Sequence, residues 1–238
     1  MDDIKREIAD YWTGRVEKFE ALRLDELNSE KRERWLYELH RYLPAGRGLD
    51  ILDIGTGTGF FSFLLAAEGH DVTGIDLTEE MIRGAKHSAS ILGLNPAFMV
   101  MDAENPTFEP ERFDAIVTRN LTSFLPNLPE AYKKWHRLLK KGGVLVNFDG
   151  DYHHDQSRAP LPENHAHKEL TPEQNAAYAH IESELRDIQQ PRPAWDIPLL
   201  RQAGFRDIQV DRECYHRVYR EIDRFYNPTP IFCITARR

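Results

Sequence analysis

The stretch Leu49-Asp-Ile-Leu-Asp-Ile-Gly-Thr-Gly-Thr-Gly-Phe60 decides the fold that this sequence predicts. Its apolar run, 51–54, is interrupted only by Asp53 and leads into a glycine cluster, as a buried parallel strand does before a tight turn. Residues 60–67 are then apolar on nearly every side, which is typical of a buried helix. Strand, glycine turn and helix form the first half of a nucleotide-binding crossover, in which the backbone N–H groups that start the helix can bind a ligand.

The spacing of the glycines narrows the type of ligand. A dinucleotide fingerprint has the pattern G-x-G-x-x-G, and its third glycine would fall at Phe60. Here Gly55, Gly57 and Gly59 alternate, and the next apolar segment ends in Asp76. An acid at the end of the second strand can accept hydrogen bonds from both hydroxyls of a ribose. A ribose-containing ligand other than a dinucleotide is therefore favoured, and the alternatives are a dehydrogenase site and a turn with only a structural role.

Asp53, the three glycines and Asp76 together resemble the S-adenosylmethionine site of class I methyltransferases. The likeness is strongest over 49–150, which is similar to a bacterial branch that methylates small molecules. The run Tyr11-Trp-Thr-Gly-Arg-Val-Glu-Lys-Phe19 also resembles the N-terminal signature of many small-molecule methyltransferases, in which this helix lies over the cofactor. The resemblance implies S-adenosylmethionine as cofactor, S-adenosylhomocysteine as product, and the following cofactor-binding residues: Tyr11, Arg15, Asp53, Gly55, Thr56, Gly57, Gly59, Phe60, Asp76, Leu77, Met81, Asp102, Ala103, Glu104, Arg119 and Asn120.

Some of these roles follow from position within the resembled family. An acid after the third strand, here Asp102, accepts a hydrogen bond from the adenine amino group, and the backbone amide of Ala103 meets the ring. Arg119 and Asn120 follow the fourth strand, where ligands of parallel sheets bind, and we expect them near the methionine end of the cofactor or near the substrate. For this pair the alternative is an ordinary loop, and for Tyr11 it is a ring that only anchors its helix.

The resemblance also implies the architecture, an α/β fold with a Rossmann-like, seven-stranded, mostly parallel sheet. Helices lie on both faces, the last strand is antiparallel between the fifth and sixth, and a helical cap precedes the sheet. A single domain is expected, with a cap (1–48), a cofactor-binding core (49–150), a substrate-side insertion (151–193) and a closing helix with strands (194–238). The apolar pattern predicts strands at 51–54, 71–76, 97–101, 113–118, 144–148, 206–212 and 230–236.

Composition and charge limit the partners. The chain of 238 residues has a net charge of −8 and lacks a long basic run, so binding to nucleic acid is disfavoured. Neither an apolar signal-peptide core nor about 18 consecutive apolar residues occur, so we expect no membrane partner and a cytoplasmic protein. Two cysteines, together with histidines that lack the i, i+4 pairing of metal ligands, predict no metal site. The oligomeric state stays open.

The fifth predicted strand is followed by the candidates for a catalytic base. Asp149, His153 and His154 come at or directly after its end, so we expect them to reach the space beyond the cofactor. A histidine suits the task because its ordinary pKa, about 6.5, lies near working pH. Asp149 would orient the ring or bind a cationic substrate. The alternatives are histidines that are merely solvated, and an enzyme that needs no base.

The predicted activity is methyl transfer from S-adenosylmethionine to a nitrogen, oxygen, sulfur or carbon atom of a small molecule. An RNA or protein methyltransferase is an alternative, although the acidic charge and the missing recognition module disfavour it. A non-catalytic, cofactor-binding partner subunit is the other alternative. An arsenite methyltransferase is disfavoured because its thiol chemistry needs more than two cysteines.

Overall fold

The chain begins with three helices and then alternates strands with helices. The computed structural model describes residues 2–154, 161–163, 165 and 170–238. Its elements in chain order are α1 (Asp2–Thr13), α2 (Val16–Leu27), α3 (Lys31–Tyr42), β1 (Asp50–Ile54), α4 (Phe60–Ala67), β2 (Asp71–Asp76), α5 (Glu79–Leu92), β3 (Ala97–Val100), β4 (Phe113–Arg119), α6 (Leu128–Leu138), β5 (Leu139–Gly150), α7 (Pro172–Ile188), α8 (Asp196–Ala203), β6 (Arg206–Asp211), α9 (Cys214–Val218) and β7 (Ile231–Arg237).

The strands form one seven-stranded sheet in the order β3-β2-β1-β4-β5-β7-β6. The first five strands are mutually parallel, and β7 runs antiparallel between β5 and β6. The predicted fold class is therefore confirmed. From β1 the chain builds outward through β2 to β3 and then returns to place β4 on the other side of β1. Ligands of open α/β sheets bind at such a switch point, beyond the carboxyl ends of the strands.

Apolar side chains cover both faces of the sheet, which explains why its central strands are apolar throughout. On one face Ile51 packs in a cluster with Trp35 of α3, and on the other Leu52 packs in a cluster with Trp135 of α6. All four side chains are fully buried. Consecutive residues of β1 thus anchor opposite layers of helices, and the end of this strand is held firmly in place.

A smaller apolar cluster joins α1 to α7. It contains Ile4 and Ile8 from α1, Ile181 and Leu185 from α7, and Phe124 from the short 3₁₀ turn after β4. Helix α7 begins as its sequence predicts, because Thr171 and Gln174 form a reciprocal capping box. The N-terminal cap and the second half of the 151–193 insertion are thereby packed together. Residues 155–160, 164 and 166–169 of that insertion lie outside the described part of the chain.

Three details differ from the sequence-based expectation. The fifth strand, predicted at 144–148, already begins at Leu139, directly after α6 ends at Leu138, and it has a register shift against β4. Lys140, in the extended part of this strand, binds Asp50 (2.7 Å) and Asp114 (2.9 Å), so its ammonium group joins neighbouring strands. Helix α9 was not predicted, since five residues are too few for helical periodicity to show. Across the described ranges, no helix is both long and apolar enough to span a membrane.

Candidate active site

A cavity of about 240 Å³ lies at the carboxyl ends of β1, β2 and β4, below the cap helices α1 and α2. Most of the residues predicted to bind the cofactor line it: Arg15, Asp53, Gly55, Thr56, Gly57, Phe60, Asp76, Leu77, Met81, Asp102, Ala103, Arg119 and Asn120. The structure thus brings together residues that are more than one hundred positions apart in the sequence. Tyr11, Gly59 and Glu104 are not part of the described lining.

Asp53 organises the glycine turn from below. Its Oδ2 accepts hydrogen bonds from the Thr56 hydroxyl (2.7 Å), the Ser62 hydroxyl (2.7 Å) and the Ser62 backbone N–H (3.1 Å). Burial raises the pKa of this carboxyl to about 6, although the same hydrogen bonds oppose the shift. The backbone N–H groups of Gly55 and Thr56 donate to the carbonyl oxygen of Ile75. The turn is therefore held by both a side chain and the neighbouring strand.

Asp76 lies at the end of β2 with its carboxylate held by two backbone donors. The N–H of Gly57 donates to Oδ2 and the N–H of Thr78 to Oδ1, each at 3.0 Å. Each oxygen retains a second lone pair that can accept from a ligand hydroxyl. Burial raises the pKa of Asp76. Thr78 occupies the N-cap position of α5 but makes no side-chain capping bond, so its contribution here is the backbone donor to Asp76.

The acids after β3 are tied to the cap by Lys5 of α1. Its ammonium group binds Oδ2 of Asp102 at 2.8 Å and also pairs with Glu104. Glu104 is buried and accepts a hydrogen bond from the backbone N–H of Asn127, away from the lining of the cavity. The structure therefore does not bring Glu104 together with the predicted cofactor-binding residues that line the cavity. Asp102 and Ala103 line the cavity as expected.

Arg15 projects from the junction of α1 and α2 into the cavity. Its guanidinium donates to the hydroxyl of Tyr11 at 2.8 Å and stacks near the rings of Tyr11 and Trp12, 5.4 Å from each centroid. The residue is only 9% exposed, and no carboxylate among the described residues pairs with it. Tyr11 therefore acts on the site through Arg15, since its own ring lies outside the cavity lining.

Two side chains of the protein cover the glycine turn. A Cβ added to Gly57 would lie 3.1 Å from Phe19 of α2, and one added to Gly55 would lie 2.8 Å from Leu121. Gly59 does not line the cavity because it faces the core, where a Cβ would meet Phe63 at 2.6 Å. The prediction of a cofactor contact is therefore not supported for Gly59. Its requirement for glycine comes from packing and from a φ of +95°.

Arg119 extends from the end of β4 to a buried carboxylate on the cap. Its Nη2 donates to Oε1 of Glu26 at 2.8 Å, and its guanidinium lies over the rings of Trp35 (4.3 Å) and Phe60 (4.7 Å). Arg23 of α2 pairs with the same carboxylate. The two guanidinium groups hold the pKa of Glu26 below its usual value despite burial. Glu26 is thus ionised and links the cap to the sheet.

The three residues proposed as base or orienting group lie outside the described lining of the cavity. Asp149 is fully buried and accepts hydrogen bonds from Thr122 (2.5 Å) and from the backbone N–H of Ser123 (3.0 Å). His153 is 4% exposed and donates through Nε2 to the carbonyl of Ser123 at 2.7 Å. His154 pairs with Asp151 at 3.0 Å. The first two hold the turn after β4 and the third binds its own loop, so the structure does not bring these residues to the cavity.

Sequence reasoning missed several residues that do line the cavity, among them Arg23, Tyr152 and Asn227. A chain of hydrogen bonds joins the ends of three strands, in which Asn227 donates to the Tyr152 hydroxyl (2.6 Å) and this hydroxyl donates to Asn120 Oδ1 (2.9 Å). Two signals could have found these residues. Arg23 follows Phe19 of the N-terminal signature by four positions and therefore shares its face of α2. The loop before an antiparallel strand lies at the edge where the parallel strands end.

Comparison with known proteins identifies the type of domain. Residues 51–143 match the family described as "Methyltransferase domain". A ubiquinone biosynthesis O-methyltransferase of Coxiella burnetii is 36% identical over 99 residues, which are 42% of this chain and 42% of that protein. A phosphatidylethanolamine N-methyltransferase of Cereibacter sphaeroides is 34% identical over 119 residues, 48% of this chain and 56% of that protein. The chain spans about half the length of these curated relatives.

Solved structures extend the likeness to nearly the whole fold. An S-adenosylmethionine-dependent methyltransferase from Aquifex aeolicus superposes with a TM-score of 0.62 at 19% identity, covering 94% of this chain and 97% of that one. At this level of identity the likeness concerns the fold alone. The range matched by the family, 51–143, contains the glycine turn, Asp76 and Asp102.

Proposed function

We propose that this chain is a class I S-adenosylmethionine-dependent methyltransferase and that it transfers the methyl group of S-adenosylmethionine to a small molecule. The observation that carries the proposal is the cavity at the switch point of the sheet. It joins the glycine turn, Asp76 and Asp102 on one side to the cap residue Arg15 on the other. These groups come from four separate elements, and one ligand that contacts all of them accounts for the arrangement.

The chemistry of these residues fits the cofactor. Asp76 has lone pairs for the ribose hydroxyls, and Asp102 with Ala103 has an acceptor and a backbone donor for the adenine ring. Arg15 is a buried cation without a carboxylate partner among the described residues, and the cofactor carries a carboxylate. Asp53 lies in the same cavity and can attract the cofactor's ammonium group. We propose that these residues hold the cofactor.

The contribution of the chain to the reaction is alignment. Bound S-adenosylmethionine supplies a methyl group on a positively charged sulfur, whose leaving thioether is neutral. Holding a nucleophile in line with such a centre can supply roughly 7–11 kcal/mol of the barrier. Phe60 and Trp12 are among the cavity walls and restrict the orientation of a bound substrate. A base is required only where the nucleophile is protonated at working pH.

The shape of the site supports a small substrate. The cavity lies beneath α1 and α2, and Lys5 ties α1 to Asp102 at the mouth of the cofactor region. The net charge of −8 gives little electrostatic support for a nucleic-acid substrate. The two curated relatives are named for ubiquinone biosynthesis and for phosphatidylethanolamine. Ubiquinone and phosphatidylethanolamine are both small compared with a protein or an RNA. We propose that the substrate enters under the cap.

Turnover of methyl-labelled S-adenosylmethionine tests the proposal. The full chain is incubated with three separate pools from a bacterial extract, namely metabolites, total RNA and total protein. We expect label in the metabolite pool, and none with an Asp76→Ala variant that folds normally. Label confined to RNA or protein would contradict the small-molecule proposal. Cofactor binding without transfer to any pool would favour a non-catalytic subunit, and failure to bind S-adenosylhomocysteine in calorimetry would contradict the cofactor assignment.

A further inference from the structure

The pair Arg23 and Arg119 forms a second cationic centre in the cavity, distinct from Arg15. Both residues line the cavity, and both are paired with Glu26, which lies behind the lining and is fully buried. Two guanidinium groups therefore share one carboxylate. A net positive charge remains in the cavity wall at a place that is largely closed to water.

The carboxylate of Glu26 has little capacity left to neutralise this charge. Oε1 accepts from Arg119 (2.8 Å) and from the indole N–H of Trp35 (3.2 Å), and Oε2 accepts from Arg23 and from the second nitrogen of Arg119 (3.4 Å). The side chain of Arg119 is 9% exposed, and its Nε has no hydrogen-bond partner among the described residues. The positive charge of Arg119, together with burial, also lowers the pKa of Arg23, as expected for two cations with one counter-ion.

Neighbouring acids do not balance the excess positive charge of Arg23 and Arg119. Lys31 pairs with Asp223 at 3.2 Å, and Arg224 pairs with Asp25 at 2.8 Å, so the nearby acids already have cationic partners. Three acids line the cavity, namely Asp53, Asp76 and Asp102. Asp53 accepts hydrogen bonds from the glycine turn and its helix, Asp76 accepts from backbone N–H groups, and Asp102 accepts from Lys5. None of these contacts involves Arg23 or Arg119.

The cofactor supplies only one carboxylate, and two cationic centres line the cavity. If Arg15 binds the carboxylate of the cofactor, no anion is left to balance the positive charge of Arg23 and Arg119. Arg119 lies at the end of β4, on the side of β1 opposite to Asp76 and Asp102. The rings of Phe19 and Phe60 lie beneath the two guanidinium groups and orient them by stacking. Planar guanidinium groups held in this way suit a carboxylate or a phosphate.

We propose that the methyl acceptor carries an anionic group, a carboxylate or a phosphate, and that Arg23 and Arg119 bind it. This inference rests on the proposed function and adds the chemical class of the substrate. Arg119 was expected either near the methionine end of the cofactor or near the substrate, and the inference places it near the substrate. The apolar remainder of such a substrate would pack against the aromatic walls of the cavity.

Calorimetry on the full chain saturated with S-adenosylhomocysteine tests the inference. The probes are benzoate, phenyl phosphate and the neutral analogue benzamide. We expect at least one anion to bind about tenfold or more tightly than benzamide, because hydrogen bonds to a charged group exceed those to a neutral one. Arg23→Gln should abolish this preference and leave the affinity for S-adenosylhomocysteine unchanged.

Glu26→Gln provides a control in which the affinity for the anion is expected to rise instead of fall. Removing this carboxylate raises the local positive charge, so the variant should bind the anion more tightly, whereas a purely structural triad predicts only a loss of stability. Equal binding of anions and benzamide, or no binding of any probe, would overturn the inference while cofactor binding stands. A loss of S-adenosylhomocysteine affinity in Arg23→Gln would also overturn it, since the pair would then hold the cofactor. Failure of the wild type to bind S-adenosylhomocysteine would contradict the proposed function itself.

Discussion

Phe19 of the cap lies against Gly57 of the glycine turn, so closely that a Cβ on Gly57 would come within 3.1 Å of the ring. Gly57 also has a φ of +53°, a backbone conformation that side chains disfavour. The space above this glycine is therefore limited by the turn on one side and by the cap on the other. Any ligand that approaches the turn has to fit between them.

Replacement of Gly57 by alanine should weaken cofactor binding more than it weakens the fold. A methyl group here meets Phe19 and occupies the side of the turn that faces the cavity. The matched control is Gly93→Ala at the end of α5, where φ is +65° and nothing lies within 4 Å of the added Cβ. Both variants should lose about 1 kcal/mol of unfolding free energy. Only Gly57→Ala should lose affinity for S-adenosylhomocysteine in calorimetry, and equal affinities would show that the turn does not bind the cofactor.

Removal of the Asp76 carboxylate should reduce cofactor binding without unfolding the protein. Asp76→Ala is expected to cost roughly 1.5–3 kcal/mol of binding free energy, the range for hydrogen bonds to a charged group. Asp71→Ala is the control, because Asp71 is exposed at the opposite end of the same strand. Calorimetry with S-adenosylhomocysteine on both variants measures the difference. Unchanged affinity in a folded Asp76→Ala protein would contradict the ribose assignment.

The cofactor side of this site could be predicted because its determinants are local in sequence. Asp53, the glycine turn and Asp76 each follow a recognisable strand, and parallel strands place their ends at one edge. The position of Glu104 outside the cavity lining could not be predicted, because its partner, Lys5, lies 99 positions away and nothing in the local pattern indicates that contact. A side chain at a strand end can point into a cavity or under it, and only tertiary packing decides between the two.

The substrate side was harder to predict for the same reason. Asp149 lies at the end of β5 and His153 follows the strand, but their polar atoms bind the turn after β4 instead of facing the cavity. Arg192, from the segment between α7 and α8, adds a buried cation 3.3 Å from Asp149. A sequence pattern shows that an acid and a histidine stand near a strand end. It does not show which buried donors and acceptors elsewhere in the chain need them as partners.

Asp53 should make the stability of the protein depend on pH between about 4 and 6. Its folded pKa, about 6, exceeds the ordinary value of 3.8, so the folded state binds this proton more tightly than the unfolded state. Stability from this group is therefore greatest below the unfolded pKa and falls as pH rises through the folded pKa, by about 3 kcal/mol at most. Asp53→Asn removes this titration and should gain stability relative to wild type as pH rises. Urea unfolding of both proteins at pH 4.5 and pH 7.5 measures it, and a constant difference would contradict the shift.

His153 should behave as a buried structural residue and not as the catalytic base. Burial lowers the pKa of His153 although the hydrogen bond from Nε2 to the Ser123 carbonyl opposes the shift, so the folded protein favours the neutral ring. The unfolded chain binds a proton as pH falls through about 6.5, whereas the folded state resists it. Stability from this group is thus present at high pH and is lost as pH falls. His153→Gln, which keeps a donor for Ser123, should reduce this loss of stability in acid.

Two measurements separate the structural role of His153 from the catalytic one. Urea unfolding at pH 5 and pH 8 should show a smaller acid-induced loss in His153→Gln than in wild type. The rate of labelled methyl transfer, followed over the same pH range, should keep its wild-type profile in this variant. His154→Gln is the comparison, because it removes a half-buried histidine of the same loop that contacts Asp151 and not the turn after β4. A large fall in transfer rate for His153→Gln, at unchanged stability and with loss of an acidic limb, would restore the histidine as a base and contradict the buried arrangement described above.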